Sequence, residues 1–374
     1  MRVRAARRPE DRSVLYRDGS GYGTGLCSLR SPRELLRATR PFPRPRGRGR
    51  LALLAAGEFG AAGLVGLDSR GRILGYGFGR GRITALSVCP GGARAAEVAT
   101  HNRGATLRIR RLRDLRTVRA RRLPGDDPLG LHCADAAGRR AYTFFTNAGA
   151  TDGATRARLL EVGPGGVRTV RRGPDREVAF TRFFAYMTAG RRGLVRVALA
   201  SGRAERIARV PADSWGYVPS PDETALAGLT ERGVVVVEPS GRRPRVRTRR
   251  MPYTEGRLEP VWLDAGRLAY IEEFGGRLRV FDRWLRPRRR LPPFWGISPV
   301  VLGGRLLDLQ DSEVASMRLR DGRRRALREL PTETANLLRA VPSRPLVRMS
   351  RRRPAYLESR ASACRRSQSF SPEA

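Results

Sequence analysis

Metal binding and nucleophilic catalysis most often rest on cysteine and histidine, and this chain has few of either: Cys27, Cys89, Cys133 and Cys364, with His101 and His132. No two cysteines form a C-x-x-C pair, and a structural zinc site needs about four such ligands held together. Four widely scattered cysteines in a chain of 374 residues do not form the framework of a disulfide scaffold either. His132 and Cys133 adjoin, which in a strand sends their side chains to opposite faces and not into one site. Neither histidine stands beside a nucleophile signature such as G-x-S-x-G, and no G-x-x-x-x-G-K-[ST] loop is present. The glycine-rich GFGRGR (77–82) has no helix after it and reads as a loop between two repeated units. The acidic pairs Asp126-Asp127 and Glu272-Glu273 fit hairpins or loops, and no alternation of acidic residues makes a calcium loop. The expectation is no catalytic residue, no metal and no cofactor.

Recognition chemistry is better represented. Three segments share a pattern: PLGLHC (128–133), SWGYVPS (214–220) and FWGISPV (294–300). In each a glycine follows a large apolar residue: Leu129-Gly130, Trp215-Gly216 and Trp295-Gly296. Placed equivalently, Trp215 and Trp295 form an aromatic rim that anchors a partner. The same tryptophans also suit the capping of a core between units. Asp213, Glu259 and Glu177 precede equivalent segments, as polar binding groups or as ordinary solvated loop charge.

Such equivalence requires a repeated element, and one is present. Residues 260–292 read as a strand (PVWL), a tight turn (DAG), a strand (RLAYIEE), a glycine hairpin (FGG), a strand (RLRVFDR), a turn and a short fourth strand. The same grammar runs through 50–77, 86–123, 131–170, 183–210, 217–247 and 300–330. The turn before the second strand falls at Arg50, Ala93, Arg139, Arg182, Thr224, Arg267 and Arg305. A four-stranded sheet recurring every ~40–45 residues is the mark of a β-propeller. The predicted fold is all-β, a propeller of seven blades with four antiparallel strands each; degenerate end blades leave six or eight open, and two stacked sandwiches are the other all-β solution. To close the ring, either 332–345 or 34–45 supplies the innermost strand of the first blade.

These repeats resemble the TolB-type, WD-like propeller repeat. The resemblance is carried by Pro260, Trp262, Asp264, Gly266, Leu268, Ala269, Tyr270, Val280 and Asp282. A second match is Ser220, Pro221, Asp222, Leu226 and Ala227, and Val65, Leu67, Asp68, Gly71 and Arg72 match a third-strand hairpin. It spans about 49–345, with Gly91, Ala136 and Gly303 where the turn aspartate would stand. The resemblance implies a scaffold that binds proteins or extracellular ligands, and since enzymes occur among similar propellers it constrains chemistry weakly.

All 75 basic side chains are arginine, against 35 acidic ones, giving a net charge of +40. Arginine without lysine, beside abundant glycine and proline, is the composition of a GC-rich genome, yet the charge still attracts polyanions at low salt. Residues 1–46 are an arginine- and proline-rich arm and 346–374 a basic tail, both expected to be disordered; the propeller is placed at 47–345. Non-specific nucleic-acid binding is expected through these arms. The N-terminus shows no signal-peptide pattern and the apolar run at 51–67 is interrupted by Glu58, so no transmembrane segment is read. The chain as written is read as cytoplasmic, or as secreted or periplasmic if its start lies elsewhere. The functional expectation is a non-catalytic propeller that binds a protein or ligand at its channel mouth. The alternatives are a propeller hydrolase or lyase using channel-mouth carboxylates, and a basic nucleic-acid adaptor.

Overall fold

Within each repeat the middle segments are almost wholly apolar and the last is rich in arginine. A strand covered on both faces reads as a continuous apolar run. GVVVVE (Gly233–Glu238) is such a strand, with Val234, Val235, Val236 and Val237 all buried. The next strand, RVRTRR (Arg245–Arg250), lies largely in solvent. The gradient orders the strands of a blade from a covered interior to a charged edge, and charged edges resist pairing with other sheets.

The computed structural model describes residues 13–17, 24–28, 43–59, 62–79, 81–101, 104–124, 128–147, 156–173, 178–188, 193–211, 214–240, 244–251, 260–271, 277–294, 299–310, 313–330 and 337–351. The chain divides into two units, Pro45–Arg352 and the two terminal stretches Met1–Arg44 with Arg353–Ala374. In the latter, Ser13–Arg17 pairs antiparallel with Thr24–Ser28.

Pro45–Arg352 is a seven-bladed β-propeller. Blade 1 is Leu337–Ala340, Leu53–Phe59, Ala62–Leu67 and Ile73–Phe78. Blade 2 is Arg82–Val88, Arg94–His101, Gly104–Arg111 and Arg116–Leu123; blade 3 is Pro128–Cys133, Ala141–Asn147, Arg156–Gly163 and Gly166–Gly173. Blade 4 is Val178–Phe180, Phe184–Thr188, Leu194–Ala198 and Ala204–Ala208; blade 5 is Trp215–Pro219, Leu226–Thr230, Gly233–Glu238 and Arg245–Arg250. Blade 6 is Val261–Asp264, Arg267–Ile271, Arg277–Asp282 and Pro287–Pro293; blade 7 is Val300–Leu302, Arg305–Gln310, Glu313–Arg318 and Arg324–Glu329. First strands of successive blades touch one another all the way round, so they are the innermost. The predicted turn clock falls on the first hairpin of every blade with a covalent one, and GFGRGR spans the junction of blades 1 and 2.

Closure uses the later of the two candidate segments. Leu337–Ala340 lies antiparallel to Leu53–Phe59, with Leu337 opposite Ala56 and Ala340 opposite Leu53. Beyond it, Leu346–Arg348 pairs with Arg48–Arg50 to form a clasp over blade 1. The clasp explains why the outer strand of blade 1, ILGYGF, is buried and free of charge. Met349 seats against Gly75, where a Cβ would lie only 2.5 Å from the methionine Cβ.

Apolar clusters fill the spaces between blades. One joins Tyr142, Phe144 and Leu159 of blade 3 to Ala185, Met187 and Val197 of blade 4. Another joins Leu229 and Val236 of blade 5 to Trp262 and Tyr270 of blade 6. Each blade therefore hides its oily faces only against its neighbours.

Two sulfurs behave otherwise than the sequence reading anticipated. Cys89, just past the innermost strand of blade 2, and Cys133, ending that of blade 3, form a disulfide with a Cα–Cα distance of 4.9 Å. Both are buried. The residues are scattered in sequence and adjacent in space because successive inner strands lie side by side. Cys27 carries no described side chain, and Cys364 lies outside the described residues.

Candidate functional site

Strand direction alternates within a blade. The first and third hairpins therefore lie at one end, here the turn end. The second hairpin and the link to the next blade lie at the other, the linking end. Side-chain carboxylates shape the turns. Asp282 accepts the amides of Trp284 and Arg286, both at 2.9 Å, and Asp68 does the same for Arg70 and Arg72 at 2.8 and 2.9 Å. In first hairpins, Asp264 accepts the Gly266 amide at 2.9 Å, and Asp222 accepts the Ser220 hydroxyl at 2.6 Å. Blade 3 has Ala136 where that aspartate was expected. Its neighbour Asp135 takes over, accepting the amides of Arg139 (2.9 Å) and Arg140 (2.7 Å).

Between the first hairpins of blades 3 and 4 the turn end opens into a cleft of about 640 Å³. Arg139 and Arg140 line one wall, Arg182 and Phe183 the other, with Tyr142, Phe184 and Leu199 also contributing. Phe183 is 61% exposed. The Arg182 guanidinium lies over its ring, 5.0 Å from the centroid. Burial pushes the Tyr142 phenol above its ordinary range, and the Glu161 carboxylate adds to the effect, so the hydroxyl keeps its proton.

The turn that carries Phe183 is fixed from three blades. Within blade 4, Thr181 donates its amide to the Phe184 carbonyl at 2.9 Å. From blade 5, the Glu223 carboxylate accepts the Arg182 amide at 2.9 and 3.0 Å. From blade 3, His132 donates to the Arg182 backbone carbonyl. The His132 ring stacks on Phe180 with centroids 5.6 Å apart and planes 12° from parallel, while Cys133 turns the other way to blade 2, as neighbours in a strand must.

Burial holds the His132 pKa down to about 4, and the bond to Arg182 only partly opposes this. Its Nε2 is buried without a hydrogen-bond partner. The folded ring therefore stays neutral where the unfolded one, near 6.5, takes up a proton. Its share of stability is complete above about pH 6.5 and is lost as the pH falls towards 4, about 3 kcal/mol in all. Denaturant titrations at pH 7 and pH 4.5 on the parent and on His132→Phe should show a steeper acid loss in the parent; equal losses would refute the assignment.

Of the residues marked from sequence, Trp215 is half-buried at the linking end of blade 5 and packs on the blade 5–6 cluster. Gly216 beside it has φ +61 and sits at a bulge, a conformation that suits glycine. Trp295, Asp213, Glu259, Glu177, Asp126-Asp127 and Glu272-Glu273 lie outside the described residues. Among the described residues no group of His, Cys, Asp and Glu is gathered for a metal, and no helix is long and apolar enough to cross a membrane. The cleft was not singled out from sequence. Its signal was TRFFAY (181–186), two adjacent aromatics at a turn where the other blades carry glycine, aspartate or arginine.

The fold and the cleft define a seven-bladed β-propeller with an arginine- and phenylalanine-lined recess between two blades. No family model and no curated protein matches the sequence. Among solved structures the chain is similar to a protein from Lactobacillus plantarum, with 10% identity, 78% of this chain and 99% of that one covered, and a TM-score of 0.54. It is also similar to the β-propeller domain of Cps50 (Swd1) from Myceliophteria thermophila, with 12% identity, 77% and 96% covered, and a TM-score of 0.48. At 10% identity the likeness to the Lactobacillus plantarum protein concerns the fold alone.

Proposed function

We propose that the chain is a non-catalytic binding module that holds a protein partner on preformed surfaces of a closed ring. The observation that carries this reading is the blade 4 turn, where an aromatic ring stands in solvent on backbone held by Glu223, His132 and Thr181. A surface ordered in advance loses little entropy on association. Large aromatics beside arginine are the residues that most often dominate interface energies. The repeat is of the TolB-type, WD-like kind in this reading, supported by the turn-forming Ser220 and Asp222 and by Trp262 and Asp264 at matching places in the next blade. The linking end, where Trp215 stands half-buried, is a second presenting surface in this reading; Trp295, Asp213, Glu177 and Glu259 are its further candidates from the sequence alone.

A polyanion reading is favoured by one specific observation: exposed arginines on outer strands, among them Arg121 and Arg122 of blade 2 and Arg249 and Arg250 of blade 5. Binding of that kind collapses with salt. The two readings separate in a pull-down with the full chain and with a form trimmed to residues 45–352, which keeps the clasp. A protein partner should be retained by both forms at about 0.15 M and about 0.5 M salt, since screening at these strengths weakens only exposed charge contacts. Loss of all captured protein at the higher salt would overturn the scaffold reading in favour of a basic adaptor.

A further inference from the structure

The cleft between blades 3 and 4 has a chemistry of its own, and the inference drawn from it rests on the binding-module reading while naming the partner. Its charge is lopsided. Arg139, Arg140 and Arg182 line it, and Asp135 is the one carboxylate among the lining residues. Both oxygens of Asp135 are already engaged by the amides of Arg139 and Arg140. Among the described residues the guanidiniums of Arg139 and Arg182 make no ion pair, and that of Arg182 lies over the Phe183 ring. Cations set around a mostly apolar recess are complementary to a ligand that is anionic at its edges and apolar at its centre.

We infer that this cleft binds an acidic segment of a partner protein, seating one aromatic side chain of that segment against Phe183 and its flanking carboxylates against Arg139, Arg140 and Arg182. Single-stranded nucleic acid is the competing occupant, because arginine and phenylalanine also receive phosphate and base. A nucleic-acid track needs successive stacking platforms along a groove. Here Phe183 is the one largely exposed aromatic of the recess, while Tyr142 is buried and Phe184 half-buried. A single anchor with charge around it fits one side chain of a peptide.

The test uses the full chain and the fluorescent-labelled peptide acetyl-Asp-Glu-Trp-Glu-Asp-amide, at about 0.15 M salt so that diffuse attraction is screened beyond roughly 8 Å. Phe183→Ala should weaken binding about tenfold, the range of a buried aromatic anchor. Replacing the peptide's tryptophan by serine should cost about as much, and Arg139→Gln with Arg182→Gln should cost less, because exposed charge contacts are weak and screened. Trp284→Ala, which removes a 52% exposed aromatic from blade 6, should change nothing. Unfolding midpoints of all variants should stay at the parent value, since these side chains lie at the surface. If the peptide binds Phe183→Ala as well as it binds the parent, the cleft is not its site and the inference falls, even if protein partners are still retained at high salt. If a single-stranded oligothymidylate displaces the peptide and shows the same dependence on Phe183, the site belongs to nucleic acid and the inference falls in that direction. If the peptide binds as inferred while no partner survives the pull-down, it is the broader scaffold reading that fails.

Discussion

Glu97→Ala should unfold the ring more easily by about 3–5 kcal/mol, the largest effect expected of any single substitution here. Glu97 lies on the second strand of blade 2 and is 0% exposed. Its Oε1 accepts Arg110 Nη2 at 2.7 Å and Arg108 Nη1 at 3.2 Å, both from the neighbouring strand. Arg110 is itself buried, and it also donates to the Phe78 carbonyl of blade 1 at 2.8 Å and to Leu115 at 3.1 Å. Removing the carboxylate takes the counter-charge from Arg110, whose side chain is buried, and from Arg108, whose side chain is largely buried. Glu97→Gln keeps the volume and one acceptor, so it should cost less. The triple replacement Glu97→Leu, Arg108→Met and Arg110→Met should recover much of the loss, because an apolar trio of similar size carries no desolvation debt. Equilibrium denaturation of the four proteins decides the matter. A Glu97→Ala midpoint within experimental error of the parent would show that the network contributes nothing.

The second large effect concerns the Cys89–Cys133 bond. Its closure links residues 44 apart in sequence. Cross-linking a loop of that size restricts the unfolded chain by about 4 kcal/mol. Cys133→Ser, or incubation with a strong reductant, should lower stability by about that amount. Non-reducing peptide mapping should recover the two cysteines in one fragment. Native protein in which both thiols alkylate freely, with unchanged stability on substitution, would refute the pairing. Bonds of this kind persist in oxidising compartments, the setting of the secreted or periplasmic placement that the sequence reading kept beside the cytoplasmic one.

Much of the architecture was legible because a propeller writes its period into the chain. Arg139, Arg182 and Thr224 mark successive first hairpins, and each falls where the structure has a turn. Val234–Val237 and the arginines after them rank the strands from covered to exposed. The disulfide was legible in retrospect. LSVC (86–89) and LHC (131–133) end at the same point of consecutive repeats, so equivalent cysteines one period apart stand on adjacent inner strands. Counting cysteines without the period concealed this. The cleft was harder, since the exposure of Phe183 depends on Glu223 and His132, each about 40–50 residues away along the chain, in the next and the previous blade. No local pattern encodes a contact made only when three blades meet.

The closing strand has a consequence for biosynthesis. Leu53–Phe59 is made early and waits for Leu337–Ala340, which is translated after all the other blades. A product terminated before that point carries an unpaired hydrogen-bonding edge on blade 1 and an unsealed seam. Such an edge templates association between chains. Truncated copies should therefore aggregate or be degraded instead of persisting as smaller functional rings, and the last few residues of the propeller act as a check that synthesis ran through every blade.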